Sequence, residues 1–163
     1  MAVTTESSDE FTNQNATPPT IMDSITNGGR VRFAKVTFTQ GAAAGDATST
    51  VDLIDLPAGK VRFLGNMSNL VFSAFGAART LDIGWLAHVD QDGVAVVADA
   101  DGLDDGIDVS AAGRVTLGTN IAVTNGDSHV FQSRGGVTLQ ATVLVDTIPA
   151  AATIEGVIAY TFD

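Results

Sequence analysis

RTLDIGWLAHV, residues 79–89, is the stretch on which the fold class turns. Leu81, Ile83, Trp85, Ala87 and Val89 recur at every second position, with Thr80, Asp82 and His88 between them. A period of two puts each set on one face of a β-strand, apolar residues inward and polar residues outward. The turn residues Asp90-Gln91-Asp92-Gly93 then reverse the chain.

Working outward, the same pattern returns. In GVTLQATVLVD, residues 136–146, Val137, Leu139, Ala141, Val143 and Val145 are in phase, and TIEGVIAYTF, residues 153–162, repeats it with Ile154, Ile158, Tyr160 and Phe162. Pro149 and small residues separate these two segments, which are expected to form a terminal hairpin. VRFAKVTFTQ, residues 31–40, changes phase between Phe33 and Val36, which predicts a bulge or a strand buried on both faces. STVDLIDL (49–56), KVRFLGNMSNLVFSAF (60–75), GRVTLGTNIAVT (113–124) and DSHVFQS (127–133) add further strand-like runs. About eight strands at regular spacing, with few strong helix formers, specify an all-β, jelly-roll-like β-sandwich.

A chain of 163 residues suits one such domain. Residues 1–29 lack any periodicity, are rich in Thr, Ser and Asn, and contain Pro18 and Pro19. They read as an extended N-terminal arm, and residues 30–163 as the β-sandwich domain. Phe11, Ile21, Met22 and Ile25 punctuate the arm at intervals that suit anchors on a neighbouring surface.

Composition excludes several function classes. The formal net charge is −11, from 8 Lys and Arg against 19 Asp and Glu, which opposes binding to the phosphates of a nucleic acid. Without Cys, disulfides, thiolate metal sites and a Cys nucleophile are all ruled out. MAVTTESSDEF at the N-terminus has neither a basic nor an apolar segment, so no secretory signal is expected. The aliphatic run from Val94 to Ala98 is far shorter than the roughly 20 residues of a membrane span.

Residues 90–108 hold seven Asp, at 90, 92, 99, 101, 104, 105 and 108, in what reads as a loop and invites a calcium interpretation. Leu103, Asp104 and Ser110 stand where an EF-hand starting at Asp99 needs other residues, so Asp-Gly turn chemistry is the better reading. GDSH, residues 126–129, has the look of an esterase nucleophile block. Ser128 and His129 are strand neighbours and so point to opposite faces, which leaves a turn entering a strand. Trp85 and Tyr160 share phase with aliphatic residues and are expected in the core rather than as exposed sugar platforms. Arg30, Arg32, Lys35, Lys60 and Arg62, five of the eight cations, are candidates for one basic docking patch. No catalytic residue, metal ligand or cofactor site is assigned.

The order of these segments, a polar arm, GGRVRFAKVTF, the turn in DLPAGKVRF, LDIGWLAHV, an Asp- and Ala-rich stretch and a closing VIAYTF, resembles small structural proteins of tailed-bacteriophage virions. The likeness is greatest to jelly-roll capsid decoration, or cement, proteins. It implies a non-enzymatic protein without cofactors, made in the host cytoplasm and placed on the capsid surface. The implied partners are the major capsid protein, whose subunits it would bridge, and further copies of itself, most simply in a homotrimer, with no nucleic acid or membrane. Phe11, Ile21, Met22, Ile25, Arg30 and Arg32 are the residues assigned to partner contact. A tail-tube or neck subunit is the nearest alternative. A sugar- or calcium-binding adhesion module is a further one, which exposed aromatics beside the Asp-rich stretch would favour.

Overall fold

A computed structural model describes residues 4–18, 31–121 and 128–162. Two sheets face each other across one apolar cluster, a jelly-roll-like β-sandwich. The first sheet has the order β1 (Thr5–Ser7), β3 (Thr50–Leu56), β12 (Val137–Leu144), β6 (Thr80–Trp85), β9 (Asp99–Asp108). In the second, β10 (Gly113–Thr116), β5 (Asn69–Phe72), β13 (Thr153–Phe162), β4 (Gly59–Leu64) and β11 (Ser128–Ser133) follow in that order, and β2 (Val31–Thr39) lies along the other side of β13. β7 (His88–Val89) and β8 (Ala95–Val96) make a separate small ribbon.

Alternation builds the core. Leu81, Ile83, Leu139, Ala141 and Val143 point inward from the first sheet, and Val36, Phe38, Phe63, Ile154 and Ile158 meet them from the second, all buried. Each fully buried aliphatic or aromatic side chain contributes about 1.5–3 kcal/mol relative to exposure.

Four expectations change. β12 and β13 are not a hairpin, because they belong to opposite sheets. Residues 145–152 cross between the sheets, with Ile148 and Ala152 buried along the way and Val145 and Ala151 at positive φ. Val145, expected inward, is 70% exposed just beyond the end of β12. RTLDIGWLAHV is not one strand either. After Trp85 pairs with Leu139 and the Leu86 N–H donates to Thr138, β12 supplies almost no further partner, and the chain leaves the sheet to form β7. Ala87 and Val89 are consequently exposed.

β2 carries no bulge: it pairs with β13 without a register shift, and Ala34, Val36 and Phe38 face inward while Phe33 lies on the outer face, half-buried. The register shifts occur instead between β12 and β3 at Leu139/Gln140 and between β6 and β9. The Asp-rich stretch is the fourth change. Its second half is strand β9, an edge strand held close to β6 because Gly84 has no side chain; a Cβ there would come 1.8 Å from the Asp99 carbonyl oxygen.

The first part of the arm lies on its own sandwich. β1 pairs in parallel with β3, and Ser8 opens helix α1 (Asp9–Asn15), which packs against β2 and β3. The Ser8 hydroxyl accepts from the Phe11 N–H at 3.1 Å and donates to the Leu53 carbonyl at 2.7 Å. Among the described residues no helix is long and apolar enough to cross a membrane.

Candidate functional site

Both histidines of the chain meet in one place. β6 ends at Trp85, the β7–β8 ribbon brings His88, Asp90 and Asp92, and the outermost strand β11 brings His129 and Phe131. A cavity of about 330 Å³ opens between the ribbon and β11.

Local chemistry fixes the ribbon. The Asp90 carboxylate accepts from the Val94 N–H at 2.7 Å, and Gly93 takes φ +88, the left-handed backbone that glycine adopts without strain. Arg134 clamps the ribbon to the end of β11, its backbone N–H donating to Val89 and its Nε to the Gln91 carbonyl at 3.0 Å each.

The aromatic wall is tightly assembled. His129 stacks on Trp85 with ring centres 4.7 Å apart and an interplanar angle of 27°. Phe131 meets the indole edge-on at 5.4 Å and the His129 ring at 4.5 Å. Gly102 of β9 admits the indole, since a Cβ there would lie 2.3 Å from its ring. Burial, assisted by the neighbouring His88, lowers the His129 pKa below its ordinary value, which favours the neutral ring in the wall. The Trp85 indole Nε1 is buried and has no acceptor among the described residues.

The expectation of core packing for Trp85 and Tyr160 is met in part: both pack against the core but remain partly exposed, and Trp85 faces the cavity. Ser128 and His129 do diverge. The Ser128 hydroxyl meets Arg62 on the outer face at 3.4 Å while His129 turns inward to the wall.

A second feature concerns charge. β1, β3, β6, β9 and β12 of the first sheet contain no Lys or Arg, yet carry Glu6, Asp52, Asp55, Asp82 and five Asp of β9. The second sheet carries Arg32, Lys35, Lys60, Arg62 and Arg114 against one acid, Glu155. Lys35, Lys60, Arg62 and Arg114 alternate outward by register, whereas Arg32 falls in the core-facing phase at the end of the sandwich, its guanidinium 5.8 Å from the Phe162 ring centre. The cations expected to form one patch are thus divided between a face and an end. Lys35, Lys60 and Arg62 also interact within the chain. Of the residues assigned to partner contact, Phe11 is half-buried in α1, while Ile21, Met22, Ile25 and Arg30 lie outside the described residues.

Crowding of carboxylates is visible on the first sheet. Burial raises Asp82 above the ordinary Asp value, opposed by its hydrogen bond from the Gly106 N–H and reinforced by Asp105 and Asp101. A hydrogen bond with Asp101 raises Asp99 in the same direction. Asp104, fully buried, accepts from Gly118 N–H, Thr119 N–H and the Thr119 hydroxyl, which ties the 118–119 turn to β9. Among the described residues no group of three or more acidic or His side chains is placed to hold a metal.

No family model and no curated protein matches the chain. Its fold is similar to a chain of the cyanophage Pam1 capsid asymmetric unit, at TM-score 0.48 and 16% identity over 88% of this chain and 92% of that one. It is also similar to VP2 of the infectious bursal disease virus subviral particle, at TM-score 0.45 and 16% identity over 82% of this chain and 33% of VP2. These structures are of viral capsids; with TM-scores below 0.5, the sandwich assignment rests on the strand pairing described above.

Proposed function

We propose that this chain is a non-enzymatic structural protein of a bacteriophage virion, a decoration protein that lies on the outer capsid surface and bridges major capsid subunits as a homo-oligomer. The observation that carries this reading is the separation of charge between the two sheets. A rigid sandwich with one acidic and one basic broad face is oriented by any acidic surface it approaches, basic side down, even though its net charge is −11. Lys35, Lys60, Arg62 and Arg114 supply that side. The acidic sheet is then turned to solvent, where like charge discourages further layers. The arm fits the same scheme: β1 and α1 fasten to the sandwich, and the following segment, which carries Ile21, Met22 and Ile25, is assigned to the neighbouring subunit.

The test is co-sedimentation with capsid particles of the virus that encodes the chain. The triple variant Lys35→Glu, Lys60→Glu, Arg62→Glu is expected to bind at least tenfold more weakly, equivalent to about 1.4 kcal/mol, while Asp105→Asn on the opposite sheet binds as before. Unaltered binding of the triple variant would overturn this orientation, and no binding of the unaltered chain would overturn the decoration role.

A further inference from the structure

We propose that the β7–β8 ribbon is one half of a contact between copies of this chain, its apolar outer face seated on the β5–β10 flank of a neighbouring copy. This rests on the homo-oligomer proposed above and names the surfaces that build it. His88 and Val96, paired across the ribbon, line the cavity, so the adjacent pair Val89 and Ala95 faces the other way, and alternation places Val97 with them. All three are exposed, Val97 at 78%, and Val94 at the turn is 60% exposed. The ribbon thus turns His88 and Asp90 toward its own sandwich and valines toward water. Burial selects the reverse arrangement, and a two-stranded ribbon this short is not stable by itself, so its outer face is completed from outside the chain.

Charge selects what covers it. Residues 80–113 contain no Lys or Arg, and Asp90, Asp92, Asp99 and Asp101 bracket the valines, offset only in part by Arg134, which packs against the turn at Gly93. Two ribbons set face to face would crowd both sets of carboxylates together, so the covering surface is cationic around an apolar centre. The second sheet carries such a surface. Val71 points outward from β5, 41% exposed, between Arg114 of β10 and Glu155 of β13, and the next row across the sheet holds Val157 beside Lys35. Two cations and one acid therefore surround two valines, with the Arg114 guanidinium held in place by donating to Asn69 Oδ1 at 2.8 Å. The ribbon is tied to the end of β11, whereas Val71 and Arg114 lie on β5 and β10, at the opposite end of the strand order, so one chain cannot make the contact with itself. Copies joined in this way stand head to tail, an arrangement that closes into a ring where the rotation permits. It leaves the β4 flank, with Lys60 and Arg62, to the capsid.

Sedimentation velocity of the full chain over a dilution series, without capsids, tests this. The native chain is expected to self-associate. Val97→Asp and Val71→Asp, both at exposed positions, should each raise the concentration at the midpoint of association by about tenfold or more, with the circular dichroism spectrum unchanged. An equimolar mixture of the two variants should regain mass and stop at a dimer, because the intact ribbon of one meets the intact flank of the other and the remaining ends are both blocked. A monomeric native chain would overturn the proposal, as would self-association indifferent to either substitution. A mixture no heavier than its components would also overturn it, in favour of ribbon against ribbon, and loss of capsid binding in Val97→Asp with self-association intact would assign the ribbon to a capsid subunit instead. No capsid enters the sedimentation, so the decoration role stands or falls separately, on the co-sedimentation of the native chain.

Discussion

His129 is neutral because of where it stands, and that has a consequence for stability. Its pKa is lowered in the fold, so between that lowered value and about 6.5 the unfolded chain binds the proton more readily. Stability from this residue is therefore present at neutral pH and lost as pH falls through that interval. One proton can change stability by at most about 1.4 kcal/mol per pH unit, and partial exposure of the ring keeps the effect below that limit. Asp82 and Asp99 act with the opposite sign, since their raised pKa values favour the fold on acidification. Comparing chains that both retain them removes their contribution. Urea denaturation at pH 7.5 and pH 5.5 should show a larger loss on acidification for the native chain than for His129→Phe. An equal or smaller loss would show that the imidazole is not what makes the wall acid-sensitive.

At the scale of elements, Ser8 joins the arm to the sandwich. Its hydroxyl caps α1 and also donates to Leu53, inside a residue that is fully buried. Ser8→Ala removes both interactions and should lower unfolding stability by about 1–2 kcal/mol, read by chemical denaturation; a change within about 0.5 kcal/mol, the range of ordinary surface substitutions, would mean that α1 does not hold the arm. The signals for this junction were only partly visible in the sequence. Ser8-Asp9-Glu10-Phe11 reads in retrospect as a cap before a short helix, but no apolar period follows to announce it, and β1 has three residues, too few for any alternation. Strands with their own apolar face, β6, β12 and β13, were legible because burial selects a period of two. β9 was not, because an edge strand is protected by charge rather than built from β-branched residues, and its Asp-Gly steps read as turns. The cavity escaped for a different reason. Trp85 and His129 lie on strands of opposite sheets, and only the crossing of those sheets, which alternation does not encode, brings the rings into contact.

For the whole molecule, the charge pattern exacts a cost that the composition alone only hints at. Carboxylates in the first sheet have no basic neighbour on their own strands, and Asp99 and Asp101 stand close enough to share a hydrogen bond. Repulsion between exposed charges is screened by salt over distances near 10 Å at about 0.1 M. Raising NaCl from about 0.05 to about 0.5 M should therefore raise the thermal midpoint, and Asp101→Asn should raise it at low salt but add little at high salt. A midpoint that falls with salt would show that cross-sheet attraction, not repulsion within the acidic sheet, dominates.

The pairing of β2 with β13 also bears on synthesis. Val31 lies opposite Thr161, so the first strand of the second sheet waits for one that is made roughly 120 residues later, and β4 and β5 wait for the same partner. At about 5–20 residues per second, the nascent chain carries β2 without its mate for on the order of ten seconds. VRFAKVTFT is rich in β-branched and aromatic residues and would be prone to pair with identical chains on neighbouring ribosomes. Arg32 and Lys35 interrupt it with charge, in the manner of gatekeeper residues. Their first service is thus to the unfinished polypeptide, before any face exists for them to occupy.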